Sequence, residues 1–331
     1  MCTAISFRGR YFGRTLDLDH SYCETVTVTP RNYPLKFRHC PDLGQHYAIV
    51  GMAYVQDDYP LYYDGANEAG LAMAGLNFPG NAHYGTPDPG KDNIASFEFL
   101  PWLLGQCATV RQARPLLQRL QITNDSFQED LPPTPLHWLL ADKDEAITIE
   151  STAGGLQIYN NPVGVLTNNP PFPSMMDYLR LHRGLSAQPS ENRFAPGLAL
   201  RSVSNGLGGM GLPGDLSSPS RFVRAAFTKE NAVIRHREDD SVSQFFHILE
   251  TVSQTRGCVR MDHGGLEITV YTSCCDTLQG IYYYTTYTNR RISAVDMHGE
   301  NLDGTELRSY PLLKQQDVFI QNQGASLQSV Q

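Results

Sequence analysis

The sequence lacks any long apolar run. No stretch of its 331 residues approaches the roughly 18 consecutive apolar residues that a membrane-spanning helix requires. The first residues also lack the basic segment and following apolar segment that mark a secretory signal. We therefore expect no membrane partner, and we expect a cytoplasmic protein whose N-terminus is available for processing.

Metal-ligand spacings are missing as well. The ten histidines are scattered and form no HExxH motif, and none of the seven cysteines falls in a CxxC pattern. An odd number of cysteines fits reduced thiols in a cytosolic chain better than it fits a disulfide framework. The sequence therefore gives no support for metal catalysis.

Positive charge is scarce. The chain has 26 Lys and Arg residues against 34 Asp and Glu residues, which gives a formal net charge of −8, and it has no basic stripe. These features exclude nucleic acid and anionic membrane surfaces as expected partners. An anionic substrate would depend on local arginines, because the acidic surface provides no long-range attraction.

What the chain does contain is a cysteine at its start. Cys2 opens an apolar, strand-like segment, and Arg14 and Asp17 follow on the second strand of a predicted hairpin. Removal of Met1, which a small second residue permits, would give Cys2 a free α-amine with an ordinary pKa of about 7.7–8.0. Such an amine can activate a side-chain nucleophile on its own residue. The alternative interpretation of Cys2 is a small, inert residue buried in a strand.

Two apolar strands end in an asparagine just before a proline-containing turn. One covers residues 71–76 and ends at Asn77, and the other covers 163–167 and ends at Asn168. Two such asparagines can donate to one oxyanion, whereas the alternative is that each satisfies backbone groups of its turn. Arg221 opens a predicted helix, where a cation opposes the helix dipole, and this favours a role for it outside the helix.

Alternating and apolar segments predict mainly strands. Strands are expected over 23–29, 47–54, 136–140, 146–150, 156–159, 267–273, 280–287 and 292–295. His137, within one of these, is interpreted as a satisfied core histidine. Helices are expected over 94–106, from the Thr109–Gln112 capping box to about 120, over 175–185, from Ser220 after a cap at Ser217 or Ser218, and over 239–252.

The remaining segments are predicted loops. They are 64–70, 82–93, 121–134, the long Gly-, Ser- and Pro-rich stretch 187–215, and a polar tail from about 321. No linker divides the chain. The sequence therefore predicts one α+β domain over residues 1–331, with stacked antiparallel sheets covered by helices.

Seven motifs follow one another along the chain: Cys2, GRTLD at 13–17, DDYP at 57–60, GLNFPGNA at 75–82, GVLTNNP at 164–170, GLPGDLSSPSRF at 211–222 and ENLDG at 300–304. Together and in this order they resemble the choloylglycine hydrolase family of N-terminal-nucleophile hydrolases, which includes bile salt hydrolases and penicillin V acylases. The resemblance implies a four-layer αββα sandwich, assembly as a homotetramer through the 187–215 loop, and chemistry that needs no cofactor.

The resemblance also implies roles for residues near the chain start. Cys2 would be the nucleophile, with its own α-amine as acid and base. Arg14 would lie by the thiol, and Asp17 would hold the amine.

Further roles are implied elsewhere in the chain. Asn77 through its backbone and Asn168 through its side chain would form the oxyanion hole, and Arg221 would support the charge network. Leu16, Phe127 and Leu131 fall where the family contacts the steroid.

The implied reaction is hydrolysis of glycine- or taurine-conjugated bile salts through a Cys2 thioester, with aminoacyl transfer as a side activity. Asn77 favours this branch, because many penicillin V acylases carry tyrosine there. A penicillin V acylase, or another N-acyl amide hydrolase of the family, is the alternative enzyme. A non-catalytic protein that binds amphipathic acids is the alternative of another class.

Overall fold

The computed structural model describes residues 1–195, 197–234 and 238–322, so most of the predicted polar tail lies outside the described residues. The chain forms sixteen strands in these ranges. In chain order they are β1 (Cys2–Phe7), β2 (Tyr11–Leu18), β3 (Thr25–Thr29), β4 (Ile49–Gln56), β5 (Tyr59–Asn67), β6 (Ala72–Asn77), β7 (Asp92–Ala95), β8 (Leu120–Thr123), β9 (Leu136–Ala141), β10 (Ala146–Thr152), β11 (Gly155–Asn160), β12 (Val165–Leu166), β13 (Ile268–Asp276), β14 (Ile281–Thr286), β15 (Ser293–Asp296) and β16 (Arg308–Pro311).

Five α-helices accompany the strands in the described ranges: α1 (Phe99–Gln106), α2 (Val110–Arg119), α3 (Phe172–Leu181), α4 (Ser218–Asn231) and α5 (Glu238–Glu250). None of them is long and apolar enough to cross a membrane. All seven cysteines lie within the described residues and are free thiols, as predicted.

The strands build two large antiparallel sheets. One has six strands in the order β12-β1-β2-β13-β14-β15, and the other has eight in the order β11-β10-β9-β6-β5-β4-β3-β16. One buried core contains side chains from both sheets and from α4 and α5, represented by Ile5, Val50, Leu139 and Phe245. Burial of these side chains is the main favourable contribution to the fold.

Helices cover the outer faces. Helices α4 and α5 pack on strands β1, β2 and β13, and α1 packs on β4, β5 and β6. A second buried core lies under α1 and α2 and includes Trp102 and Trp138. The order of layers is therefore helix, sheet, sheet, helix, which confirms the predicted αββα sandwich.

Helix boundaries agree best where a side chain caps them. The hydroxyl of Thr109 accepts a hydrogen bond from the Gln112 N–H at 3.2 Å, and α2 begins at the next residue. Ser217 is the N-cap of α4, but its side chain makes no cap bond. The Asp215 carboxylate instead accepts from the Ser217 N–H at 2.9 Å and from the Ser220 hydroxyl at 2.6 Å.

Two predictions for short segments are wrong. Residues 92–95 form strand β7, although the sequence predicted the end of a loop and the start of a helix there. Strand β7 pairs in parallel with β8, which lies where the sequence predicted the end of α2 and the start of a loop. Helix α1 therefore begins at Phe99 rather than at 94. Ile94 and Ile122 are buried. A four-residue strand is too short to show a period, which is why the pattern did not reveal it.

Two further strands differ from the predictions: one is longer than predicted and the other was not predicted. Strand β5 continues to Asn67, through part of the segment predicted as the loop 64–70, and β16 was not predicted at all. Asp64 lies in this extension and is buried. A pattern based on apolar residues does not detect this part of a central strand, because it contains a buried carboxylate and a glycine.

Candidate active site

Cys2 is the first residue of β1 and is 2% exposed. Strand β1 lies between β12 and β2, and Cys2 stands opposite Leu16 in the β1–β2 register. The hairpin turns at Arg8 and Gly9, whose φ angles of 57° and 63° are those of a type I′ turn. This turn fixes the register, which places Arg14 and Asp17 near the thiol.

Asn168 connects three parts of the site. Its Oδ1 accepts from the backbone N–H of Cys2 and from Nη2 of Arg221, both at 2.8 Å. Its Nδ2 donates to the carbonyl oxygen of Asn77 at 2.7 Å. Because a carbonyl only accepts and the other two groups only donate, these partners fix the orientation of the amide. Asn77, at the end of β6, is therefore connected to Cys2 through Asn168, which lies two residues after β12.

Arg221 is a fully buried cation on α4. Its Nη1 donates to the Cys2 carbonyl oxygen at 2.6 Å and to the Thr3 hydroxyl at 2.7 Å, and its Nε donates to the Leu216 carbonyl oxygen at 3.0 Å. Burial lowers the pKa of Arg221, and the charges of Asp17, Cys2 and Glu267 oppose that shift. The Arg221 side chain therefore connects α4 to the first two residues of β1.

Arg14 is a second buried cation, on β2. Its Nη1 donates to the carbonyl oxygen of Tyr63 at 3.1 Å and to that of Gly75, and its Nε donates to the Thr15 carbonyl oxygen at 3.2 Å. Burial alone would lower the pKa of Arg14. The neighbouring groups, with Cys2 the strongest, outweigh burial and raise it. A permanent positive charge therefore acts on the thiol.

Asp17 is a buried carboxyl with two hydroxyl partners. Thr269 donates to its Oδ1 at 2.6 Å, and Thr15 donates to its Oδ2 at 3.0 Å. Burial raises the pKa of Asp17. Arg221, the N-terminal charge and the two hydroxyl groups each act to lower it. Two hydrogen bonds thus fix the Asp17 carboxyl, and the positive charges of Arg221 and of the N-terminal amino group act on it.

Met1 precedes Cys2 in this structure and pairs with the main chain of Asp17. Its amino group donates to the Asp17 carbonyl oxygen at 2.7 Å, and the Asp17 N–H donates to the Met1 carbonyl oxygen at 2.9 Å. The same amino group contacts the carboxylate of Glu267. The backbone N–H of Cys2 donates its hydrogen bond to Asn168 Oδ1 and not to the Asp17 carboxylate.

The three residues expected to contact a steroid lie in two places. Leu16 is buried beside Cys2 in the core between the sheets. Phe127 and Leu131 lie in the loop after β8, where the Phe127 N–H donates to the Leu131 carbonyl oxygen at 3.0 Å. The Phe127 ring packs against Tyr59 and Phe97, with centroid distances of 5.8 and 5.2 Å. The described contacts of this loop are with the start of β5 and with neighbouring loops, and not with Cys2.

Sequence reasoning missed the polar side chains that support these residues. Glu267 directly precedes β13, Thr269 is its second residue, and the Ser218 hydroxyl accepts the Asn168 N–H at 2.8 Å. Asp64 accepts three hydrogen bonds, from Tyr271, Tyr282 and Ser273, at 2.6, 2.7 and 3.0 Å. The available signal was the polar residue at every second position from 267 to 273, within a strand that had been predicted.

The described part of the chain contains no group of three or more His, Cys, Asp or Glu side chains that could hold a metal ion. The polar groups around Cys2 are hydrogen-bonded to one another and to the main chain. The arrangement offers a thiol, two fixed cations, a buried carboxyl and amide groups, which are the parts that acyl transfer to sulfur requires.

The αββα sandwich with a cysteine at the head of a central strand is the fold of the N-terminal-nucleophile hydrolases. The chain belongs to the choloylglycine hydrolase family, because the sequence model of the linear amide C–N hydrolases, choloylglycine hydrolase family, matches residues 2–310. It is therefore a hydrolase of linear amide C–N bonds.

Known relatives cover nearly the whole chain. A bile salt hydrolase/transferase of Lactiplantibacillus plantarum is 52% identical over 324 residues, which are 97% of this chain and 100% of that protein. The crystal structure of a mutant conjugated bile acid hydrolase from Clostridium perfringens has a TM-score of 0.90 at 36% identity and covers 97% of this chain and 100% of that one. Penicillin V acylase from Agrobacterium tumefaciens shares the fold, with a TM-score of 0.73 at 18% identity over 93% and 90% of the two chains.

Proposed function

We propose that this enzyme hydrolyses the amide bond of glycine- and taurine-conjugated bile salts through a thioester on Cys2. The observation that carries the proposal is the side chain of Asn168, which joins the Cys2 nitrogen to the Asn77 carbonyl. The names of the relatives supply the substrate class, since a protein 52% identical over nearly the whole chain is a bile salt hydrolase/transferase.

The first step needs a free α-amine on Cys2. Removal of Met1 converts the nitrogen that lies 2.8 Å from Asn168 Oδ1 into that amine. The amine takes the thiol proton, and the thiolate, favoured by the Arg14 charge, attacks the amide carbon. The resulting ammonium is held by Asn168 Oδ1 and by the negative field of Asp17.

The oxyanion that forms needs two donors. The backbone N–H of Asn77 is one, and the Asn168 side chain is the other. Asn168 Nδ2 carries two hydrogens and gives one of them to the Asn77 carbonyl oxygen, so the second is available for the oxyanion. Loss of one such donor typically lowers turnover by about 10²–10³-fold.

Collapse of the intermediate releases the amine. The Cys2 ammonium gives its proton to the leaving nitrogen, the C–N bond breaks, and glycine or taurine departs while the acyl group stays on sulfur. A water molecule, deprotonated by the same amine, then attacks the thioester carbon, and the C–S bond breaks to give the free bile acid. Attack by the amine of an amino acid in place of water would form a new amide to the bile acyl group as the C–S bond breaks, which is the predicted aminoacyl transfer.

Substrate selection is proposed to involve the residues predicted to contact the steroid. Leu16 borders Cys2, and Phe127 and Leu131 are partly exposed in a loop that an aromatic cluster supports. Asn77 favours bile salts over penicillin V, which remains the substrate of the alternative proposal.

The test compares glycocholate, taurocholate and penicillin V as substrates of the purified enzyme. We expect release of glycine or taurine, an N-terminal sequence beginning at Cys2, and no turnover by Cys2→Ala. Cleavage of penicillin V alone would reverse the choice between the two enzymes. Substrate binding without turnover by the wild type would favour the binding protein. Full activity in a protein that keeps Met1 would contradict the mechanism.

We also propose that residues 1–331 act as one catalytic domain in the cytoplasm and assemble as a homotetramer. The six-stranded sheet supports one domain, because it combines strands from both ends of the chain. The 187–215 segment supports assembly, since it carries exposed apolar side chains such as Phe194 and Val203, which are 85% and 90% exposed.

A further inference from the structure

His137 is a buried histidine between the two strands that end in the site asparagines. It lies on β9, opposite Leu76 of β6, and it is completely buried, as is its neighbour Glu150. Its Nε2 is 2.9 Å from the carbonyl oxygen of Thr167, and its Nδ1 is 3.1 Å from Oε1 of Glu150. The Phe78 ring stacks on the imidazole with a centroid distance of 4.2 Å and an interplanar angle of 6°.

These contacts determine where the hydrogens lie. The Thr167 carbonyl oxygen can only accept, so Nε2 carries a hydrogen and donates it. A second hydrogen lies between Nδ1 and Glu150 Oε1, which also accepts the Phe172 N–H at 2.9 Å. Whichever of the two atoms holds that hydrogen, the pair has no net charge. This neutrality allows both side chains to be buried together.

His137 contacts the neighbours of both asparagines. Thr167 precedes Asn168, so the carbonyl that His137 holds belongs to the same peptide group as the Asn168 N–H. Phe78 follows Asn77, so the residue stacked on the imidazole shares a peptide group with the Asn77 carbonyl that accepts from Asn168. One side chain thus restrains a peptide group on each side of the hydrogen bond between the Asn168 side chain and the Asn77 carbonyl.

We propose that His137, held by Glu150, is a positioning residue that sets the distance between the oxyanion donors of Asn77 and Asn168. This inference rests on the proposed function, because it assigns those asparagines to the oxyanion hole. His137 acts through the two peptide groups and does not touch the substrate. A misplacement of about 1 Å in such a group can lower turnover by about 10²-fold.

The test uses two substitutions that divide the contacts of the ring. His137→Asn keeps a polar group near Glu150 but cannot reach Thr167, whereas His137→Gln can donate to Thr167 from the place of Nε2. We expect His137→Asn to lower kcat by about 10²-fold with KM changed by less than about twofold. We expect His137→Gln to recover at least about tenfold of that loss.

A double-mutant cycle with Asn168→Ala tests the route of the effect. Since both changes act on one donor, the loss in the double variant should be close to that of Asn168→Ala alone. Fold-losses that multiply would overturn the proposal, and so would an unchanged kcat in His137→Asn. A crystal structure of His137→Asn gives a readout independent of turnover, and an undisplaced Asn168 would count against the proposal.

His46 provides a matched control. It is also a buried histidine, and its ring nitrogens lie 2.7 and 2.8 Å from the carbonyl oxygens of Tyr47 and Tyr33. We expect His46→Asn to lower thermal stability while leaving kcat within about twofold of wild type. A kcat loss equal to that of His137→Asn would show that any buried histidine matters equally and would overturn the specific role.

Two results separate this inference from the function on which it rests. A wild type that releases neither glycine nor taurine overturns the proposed function. An active wild type with an equally active His137→Asn overturns only the role of His137. Where His137→Asn does not fold, Glu150→Gln takes its place. The atom at the position of Oε1 must share a hydrogen with His137 Nδ1 and accept the Phe172 N–H, and neither the oxygen nor the nitrogen of an amide can do both. We expect the same fall in kcat.

Discussion

The hydroxyl of Thr269 has two partners in the site. It donates to Oδ1 of Asp17 at 2.6 Å and accepts the Gln254 N–H at 2.7 Å. Thr269→Val removes both bonds and leaves buried polar groups unsatisfied. We expect the free energy of unfolding at pH 7 to fall by about 1–3 kcal/mol, as measured by urea titration.

The same substitution has a predictable pH dependence. Burial raises the pKa of Asp17, and the Thr269 hydroxyl acts against that shift, so its loss raises the pKa further. A carboxyl with a raised folded-state pKa favours folding most below its unfolded value and loses that contribution as pH rises through the folded value. The stability difference between Thr269→Val and wild type should therefore widen from pH 4 to pH 7. A difference that narrows would contradict this assignment.

Residues of the site were predictable to different degrees. Cys2, Arg14 and Asp17 lie in one hairpin, so local register places them together. Asn77 and Asn168 share the pattern of a strand end before proline, but the 2.7 Å bond between them depends on how two sheets stack. Glu267 and Thr269 reach the site from β13 past an irregularity in its register with β2, which the sequence does not encode locally.

At the scale of elements, β2 and β13 approach closely at Gly13. A Cβ at this position would lie 2.1 Å from the carbonyl oxygen of Ser273. The Ser273 hydroxyl accepts the Arg14 N–H at 3.1 Å, so any separation of these strands displaces Arg14. We expect Gly13→Ala to destabilise the protein by about 1–3 kcal/mol and to lower kcat, measured by thermal unfolding and by the glycocholate assay.

Gly44 is the matched control for this prediction. A Cβ at Gly44 would meet no heavy atom within 4 Å. Gly44→Ala should therefore leave both the melting temperature and kcat close to those of wild type. Equal effects of the two substitutions would show that the close approach of β2 and β13 is not the cause.

The start of α4 carries a second pH-dependent contact. Hydrogen bonds from Ser217 and Ser220 lower the pKa of Asp215 to about 2. A lowered pKa contributes stability that is present above the ordinary value of about 3.9 and is lost as pH falls through about 2. Asp215→Ala should lower the urea midpoint at pH 7. The gap to wild type should shrink between pH 4 and pH 2, and a constant gap would contradict the role of the carboxylate.

Elements with a full period were the predictable ones. The long strands β4, β9, β10, β13 and β14 were located from alternation or continuous apolar runs. Strands β7 and β8 were not predicted, because their parallel pairing joins segments 28 positions apart, as in Asp92 opposite Leu120. Strand β16 pairs with β3 through four exposed residues, which carry no apolar signal.

At the scale of the whole molecule, the 187–215 segment exposes several apolar side chains, including Phe194, Leu198, Leu200 and Val203. If the chain assembles as the proposed homotetramer, Phe194→Asp combined with Val203→Asp should reduce the mass measured by light scattering toward that of a monomer, because charges disfavour an apolar interface. Leu181→Asp is the control, since Leu181 is 78% exposed but lies outside the segment. An unchanged mass in the double variant would remove this segment from the assembly.

Because β1 pairs with β12 and β2, and β2 pairs with β13, the surroundings of Cys2 depend on strands that come late in the chain. During synthesis the β1–β2 hairpin lacks β13 until the final fifth of the chain is made. Until then Arg14 lacks Ser273, and Asp17 lacks Thr269. Removal of Met1, which the proposed mechanism requires, can therefore take place while Cys2 is still accessible. A shortened chain that ends before β13 would carry the Cys2 thiol without these contacts, and we expect it to be inactive.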